Sequence, residues 1–179
     1  MKKKLKSICI IPARSGSKRI RNKNIKFFCK KPIISWSIKA ALKSKCFDKV
    51  IVSTDSPKIA NIAKKYKASV PFIRPKNLSG DNVPTLPVIN HAIKEMIKIG
   101  YNADVVCCLY PCAPLTDHKN LIKAFKLFKK YKKKFIFTIM PYSHPIQRSM
   151  YLDKKKAPHI FYPKNKNKRS QDLKKAFHD

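Results

Sequence analysis

Through most of the chain, short unbroken apolar runs alternate with stretches in which apolar residues recur every three or four positions. Residues 7–13 read Ser-Ile-Cys-Ile-Ile-Pro-Ala. A run of strand formers without polar alternation predicts a strand buried on both faces. From Pro32 the period changes, and Ile34, Ile38, Ala41 and Leu42 share one helical face, with Pro32 suited to the first turn. Val50, Ile51, Val52 and Ser53 predict a second strand, and a helix beginning near Pro57 carries Ile59, Ile62, Ala63 and Tyr66. Residues 70–73 form another short apolar run, read as a strand. Thr85 leads into a helix with Ile89, Ala92, Ile93, Met96 and Ile97 on one side, ending at Gly100 as C-cap. Residues 105–109 are the third strongly apolar strand. Leu121, Phe125 and Phe128 then mark a helix capped by Thr116 or Asp117, and residues 135–140 predict a closing strand.

Alternating strands and helices imply right-handed crossovers and a mainly parallel sheet covered on both faces. The expected fold class is therefore α/β, a three-layer Rossmann-like arrangement. Its core is placed at residues 1–140. Residues 141–179 are Lys-rich and without clear period, but Ile146, Met150, Tyr151, Ile160, Phe161 and Tyr162 are too apolar for a purely disordered tail. That segment reads as a basic arm needing a partner surface.

Charge changes this picture less than its size suggests. Forty-two Lys and Arg against nine Asp and Glu give a formal net charge of +33 over 179 residues, which raises nucleic acid as a partner. The excess is spread along the chain as Lys on solvent-facing positions, with no zinc-finger spacing, basic heptad or aromatic RNA-binding signature. No specific nucleic-acid partner is expected, although a basic nucleic-acid-binding protein remains the other-class reading. The six cysteines form no C-x-x-C pair. Cys9, Cys107 and Cys108 sit in strand-like runs as small hydrophobes, the usage of a reduced, cytoplasmic chain. No apolar run approaches the roughly 20 residues of a membrane helix, so no membrane partner is expected.

The candidate chemistry gathers where strands end. After Pro12 the chain presents Arg14, Ser15, Gly16, Ser17 and Lys18, cationic or small residues suited to cradling phosphate with backbone amides. It is not a Walker A loop, since no Gly precedes at the required spacing and Arg19 follows the Lys. Residues 74–84 form a second loop rich in turn residues, predicted at the same sheet edge. Within it, Arg74 and Asp81 could pair. Tyr110-Pro111-Cys112-Ala113-Pro114-Leu115 is a third loop, stiffened by two prolines. The five histidines show no metal-ligand spacing.

Taken together, four blocks resemble the cytidylyltransferases that activate nine-carbon acidic sugars. They are residues 11–18 continuing through Lys23-Asn24-Ile25, then Val52-Ser53-Thr54-Asp55, then Arg74-Pro75 with Leu78 and Asp81, in that order. Tyr110-Pro111, His144-Pro145-Ile146-Gln147-Arg148 and Arg169-Ser170-Gln171-Asp172-Leu173 look like the pseudaminate branch of that family. The N-acetylneuraminate and legionaminate branches are the alternatives. The resemblance implies transfer of CMP from CTP to a nonulosonic acid with release of pyrophosphate, Mg²⁺ as cofactor, and a homodimer. It implies Arg14, Lys18 and Lys23 as catalytic cations, with Ser15, Gly16, Ser17, Asn24, Arg74 and Thr85 also holding the nucleotide. Tyr110, Arg148 and Arg169 would meet the sugar. The metal-binding aspartates of the family follow a strand expected beyond Asp179, so no metal ligand is assigned. An incomplete fold that binds CTP without full turnover is the corresponding expectation.

Overall fold

The computed structural model describes residues 5–131 and 135–179. They fall into two compact units, Met1–Tyr131 and Lys132–Asp179.

The first unit is built on β1 (Ser7–Pro12), the central strand of a parallel three-stranded sheet. A two-residue pair follows it, β2 (Phe27–Phe28) against β3 (Lys31–Pro32), antiparallel. Then come α1 (Ile34–Ser44), β4 (Lys49–Ser53), α2 (Pro57–Lys65), α3 (Thr85–Lys98), β5 (Val105–Cys108) and α4 (His118–Tyr131). The sheet order is β4-β1-β5. Because β1 is central, its residues are covered from both sides, as its unalternated sequence requires. Cys9 and Ile11 pack with Val50 and Val52 toward Ile34, Ile38, Ile59 and Ala63 of α1 and α2. Ile8 and Ile10 pack with Ile51 toward Ile89, Ala92 and Met96 of α3. Alternate residues of one strand thus feed two cores, giving the expected three layers.

Helix ends follow local chemistry. Ser56 accepts from the Ile59 amide at 3.4 Å, with Pro57 in the first turn of α2. At α4, of the two candidate caps, Asp117 is the one used: its Oδ1 accepts from the Lys119 amide at 2.9 Å. Beyond α3, Gly100 takes φ 79°, while the Tyr101 amide reaches back to the Met96 carbonyl at 2.9 Å. Thr85 opens α3 behind Pro84, as expected for the start of this helix, and no side-chain cap closes that end.

Two expected strands are corrected. Residues 70–73 do not form one; only an isolated bridge, Ile51 to Ser69, precedes them. Pro71 has no amide to donate and ends the pairing. Residues 135–139 are likewise unpaired, and pairing begins only at Met140. Phe135, Phe137 and Ile139 are exposed there, and an apolar run without a sheet neighbour has no ladder to join. Cys108 is also exposed, in contrast to its reading as a buried hydrophobe, because β5 lies at the edge of the sheet.

The second unit parts from the first at residues 131/132, where the sequence reading put the boundary at 140/141. It holds two short antiparallel pairs. One joins β6 (Met140–Pro141) to β9 (Phe177–His178), the other β7 (Met150–Leu152) to β8 (Pro158–Ile160). Asp153 makes the β7–β8 turn: its Oδ1 accepts from the Lys155 and Ala157 amides at 2.8 and 2.9 Å. The Ala157 amide foremost, then His159 at 3.1 Å and the Lys155 amide, hold its carboxyl below the usual carboxylate range.

Candidate functional site

Parallel strands bring their carboxyl ends to one edge, where the loops after β1 and β5 leave, and the loop of residues 74–84 is held to the same edge by the Arg74 amide on the Thr54 carbonyl at 2.8 Å. Register fixes this: Pro12 lies opposite Ser53, and Ile10 opposite Cys108. The Ala13 amide donates to the Ser53 carbonyl at 2.9 Å and the Leu109 amide to the Ile10 carbonyl at 3.0 Å, carrying the ladder to the mouths of the loops.

The first and second loops enclose an open cleft of about 430 Å³. Arg14, Ser15, Gly16, Ser17 and Lys18 form one wall with Arg21 and Asn22, and Ser79, Gly80 and Asp81 form the other. The carboxylate of Asp81 lies between two cations, 2.5 Å from Arg14 Nη1 and 2.8 Å from Lys18 Nζ. Lys18, then Arg14, hold the Asp81 carboxyl below its ordinary range. Asp81 was a candidate partner for Arg74 in the sequence; its partners are instead the cations across the cleft. The site therefore already binds one anion, supplied by the chain itself.

Behind that wall the loop is braced. Ser15 gives both its donors to Asp55, the amide to Oδ1 at 2.8 Å and the hydroxyl to Oδ2 at 2.6 Å. The Ser17 amide donates to the Ser15 carbonyl at 2.9 Å. Among the described residues, the amides of Gly16 and Lys18 make no hydrogen bond. Those two, with the Ser17 hydroxyl and the Arg14 and Lys18 side chains, are donors the loop can offer to a ligand phosphate. Gly16 does not adopt a positive φ, and a Cβ there would meet nothing within 4 Å. The space over it is open.

Lys23, Asn24, Arg74, Thr85 and Tyr110 stand outside the walls of this cleft. Lys23 and Asn24 share a short turn entered through Asn22 in the left-handed region, φ 55°. Asn24 is buried and faces inward: its Nδ2 donates to the Arg14 carbonyl at 2.8 Å, and its Oδ1 accepts from Cys112 Sγ at 3.2 Å. Arg74 is only 4% exposed. Its Nε donates to Ser53 Oγ at 3.1 Å, its Nη2 donates to the Ser53 carbonyl, and its amide donates to the Thr54 carbonyl at 2.8 Å. Burial lowers its pKa, with Asp55 opposing and Arg14 adding to the shift. Thr85 Oγ1 and the Tyr110 hydroxyl are 3.1 Å apart, joining the second and third loops. Ser37 of α1 donates to the Tyr110 carbonyl at 2.9 Å and pins the third loop from below.

The remaining sugar candidates belong to the second unit. Arg148 is exposed there. Arg169 is taken up by Asp172, through Nε at 2.9 Å and Nη2 at 3.3 Å.

Sequence reasoning missed Asp55, Ser37 and Cys112 as site residues. Asp55 was in view as the end of the block Val52-Ser53-Thr54-Asp55, but only the parallel register sets it beneath Ser15. Ser37 lies on a helix face that the apolar period marks as inward, so a polar residue there was the available signal. A metal finds no ready-made seat: among the described residues no group of three or more His, Cys, Asp or Glu comes together. Asp55 and Asp81, the carboxylates at this edge, are held by Ser15 and by the two cations.

Comparison with known proteins bears on the whole arrangement. A family model described as Cytidylyltransferase matches residues 8–177. The chain is 45% identical over 175 residues to a pseudaminic acid cytidylyltransferase of Campylobacter jejuni, covering 98% of this chain and 75% of that protein. It is 40% identical over 177 residues to a Helicobacter pylori protein that joins a pseudaminic acid cytidylyltransferase to a hydrolase, covering 98% of this chain and 33% of that one. Among solved structures, a CMP:2-keto-3-deoxy-manno-octonic acid synthetase complexed with CTP superposes with a TM-score of 0.66 at 19% identity, over 92% of this chain and 69% of that one. That likeness supports the α/β fold. Across nearly its whole length, from the first strand through Phe177, the chain belongs to the cytidylyltransferase family.

Proposed function

We propose that this chain binds CTP in the cleft between residues 14–18 and 79–81 and transfers CMP to a nine-carbon acidic sugar, pseudaminic acid, releasing pyrophosphate. The observation that carries the proposal is the pair of cations, Arg14 and Lys18, closed on the carboxylate of Asp81 at the carboxyl end of β1. A carboxylate there stands in for phosphate oxygen, which makes the same charge-assisted contacts with more acceptors. Similarity over 98% of the chain to pseudaminic acid cytidylyltransferases supports the choice of sugar.

In this reading, attack by the sugar's anomeric hydroxyl on the α-phosphorus forms one P–O bond as the bond to the pyrophosphate oxygen breaks, and the hydroxyl proton passes to solvent. Such a step needs positioning and charge neutralisation more than covalent help from the protein. Arg14 and Lys18 exchange Asp81 for phosphate oxygens, and the free amides of Gly16 and Lys18 add neutral donors. Lys23 faces the α-phosphate side. Arg74 keeps N–H groups beyond those that Ser53 uses, and with Thr85 it reads cytosine, while Tyr110 borders the sugar. Arg148 and Arg169 are carried as contacts to the sugar carboxylate, Arg169 only after leaving Asp172. Mg²⁺ enters the proposal as a partner of the triphosphate, with no step routed through it. Homodimerisation and a cytoplasmic location complete the reading; no helix among the described residues is long and apolar enough to cross a membrane.

The test is pyrophosphate release with CTP or UTP and each of pseudaminic, N-acetylneuraminic and legionaminic acids, with Lys18→Ala as control. Turnover with CTP and pseudaminic acid, lost in the control, is expected. Equal use of UTP would remove the cytosine assignment, and tight binding of mixed nucleic acid with a steep salt dependence would favour a different class of protein.

A further inference from the structure

The Arg14 carbonyl and the Ser15 amide are the two ends of a single peptide unit, and side chains from two different elements grip it. Asn24 Nδ2 donates to the carbonyl at 2.8 Å, and Asp55 Oδ1 accepts from the amide at 2.8 Å. The orientation of that plane sets where the following amides, Gly16 to Lys18, point. Asn24 can hold the carbonyl only if its amide is turned with nitrogen toward Arg14. The reverse orientation would set Oδ1 against the carbonyl oxygen, two acceptors in contact. The Cys112 thiol, a donor 3.2 Å from Oδ1, secures the same orientation from the other end of the amide. Burial pushes that thiol's pKa up while Lys23 pulls against the shift, so the S–H keeps its proton at neutral pH.

We infer that Cys112, acting through Asn24, is a positioning residue for the phosphate loop: it fixes the Asn24 amide and thereby the plane of the Arg14–Ser15 peptide on which CTP binding depends. The inference rests on reading the cleft as the CTP site. Cys112 belongs to the loop of Tyr110, whose carbonyl is held by Ser37 and whose hydroxyl meets Thr85. The same short segment thus sets the base side, the sugar side and the phosphate side in register. Asn24 keeps one N–H of Nδ2 and one lone pair of Oδ1 beyond these two bonds, but both ends of its buried side chain are already turned to protein partners. A side chain that is 5% exposed and bonded at both ends acts by holding other groups in place.

The test compares Cys112→Ala and Cys112→Ser in the full chain. The first removes the donor; the second restores it as a hydroxyl. Two readouts are taken: hydrogen exchange of the Ser15 amide without nucleotide, measured by NMR, and the dissociation constant for CTP by calorimetry. In the Ala variant the Ser15 amide is expected to exchange about fivefold to tenfold faster and CTP to bind about tenfold more weakly, the scale of one orphaned buried acceptor. The Ile10 amide, inside the sheet, should exchange as before. The Ser variant should return both readouts to within about twofold of the wild type. Unchanged Ser15 exchange in the Ala variant, or equal weakening in Ala and Ser, would overturn the inference while leaving the site reading intact. If the wild-type chain binds no CTP at all, the site reading falls, and this inference with it.

Discussion

Replacing Arg74 by Met keeps the length and apolar stem of the side chain and removes its guanidinium. The consequence follows from where its two bonds go. Ser53 Oγ, fully buried, has Arg74 Nε as its donor and would be left without a partner. The Ser53 carbonyl is less exposed to loss, because the Ala13 amide still donates to it at 2.9 Å. One orphaned hydroxyl costs about 1–3 kcal/mol, and the second, charge-assisted bond adds to that only in part. Against this stands relief of a guanidinium whose pKa burial already lowers, together with the apolar contacts Met regains. The net is about 2 kcal/mol of lost stability, a sizeable fraction of the roughly 5–15 kcal/mol that a domain possesses. With a slope of about 1–3 kcal/mol per molar, the urea midpoint should fall by roughly 1 M. Urea unfolding of Arg74→Met, Ser53→Ala and the double variant gives the coupling. If the two single losses add without coupling, or if Arg74→Met lies within about 0.5 kcal/mol of wild type, Ser53 is not the seat of Arg74 and the reasoning fails. Arg74→Lys keeps the charge, but a single ammonium cannot span both Ser53 oxygens and a base. It is expected to lose discrimination between CTP and UTP.

Asp81→Asn removes the anion that competes with phosphate, and CTP should bind severalfold more tightly, measured by calorimetry at fixed ionic strength; weaker binding would show that Asp81 serves the ligand directly. Since the folded pKa of Asp81 is lowered, the tie between the loops is present above the ordinary carboxylate value of about 3.9 and is lost as pH falls through the lower folded value. The melting temperatures of wild type and Asp81→Asn without nucleotide should therefore differ at neutral pH and converge in acid. Asp55→Ala takes both partners from Ser15, and CTP affinity is expected to fall about tenfold, with β1 amide exchange unaffected. Gly16→Ala should leave the melting temperature unchanged or slightly raised, because its Cβ meets nothing within 4 Å and φ is ordinary. A large loss of CTP affinity in that variant would place the triphosphate directly over the Gly16 amide.

Continuous stretches of the site were legible because their physics is local. The buried strand at Ser7–Pro12, the loop beginning at Arg14 and the family blocks could be read along the chain. Pairings across loops could not. Asp81 lies seven residues from Arg74 in sequence, yet it turns to Arg14 and Lys18, a choice that only the meeting of two loops at one sheet edge determines. Asn24 was expected to hold the nucleotide, and its inward bonds to the Arg14 carbonyl and from the Cys112 thiol join segments that lie far apart along the chain. The two misread strands share a cause: an apolar run records a tendency to extend, whereas a strand also needs a neighbour. For residues 70–73 the warning was Pro71, which has no donor for a ladder. For residues 135–139 the run itself carried no such sign.

Pro71 also determines what the sheet cannot do. Ser69 exchanges bonds with Val50 and Val52, donating to one carbonyl and accepting from the other amide at 2.9 Å, and so begins a fourth parallel strand along β4. Two residues later the pyrrolidine ring interrupts it, and the chain turns to place Arg74 on Ser53. That edge is blunted against templating by a passing extended segment, a common route from native sheet to aggregate. Pro71→Val would restore the missing donor in a run already rich in strand formers. The same substitution would pull the Arg74 anchor out of line, so resistance to aggregation and the geometry of the base-side loop are secured at this edge by a single proline.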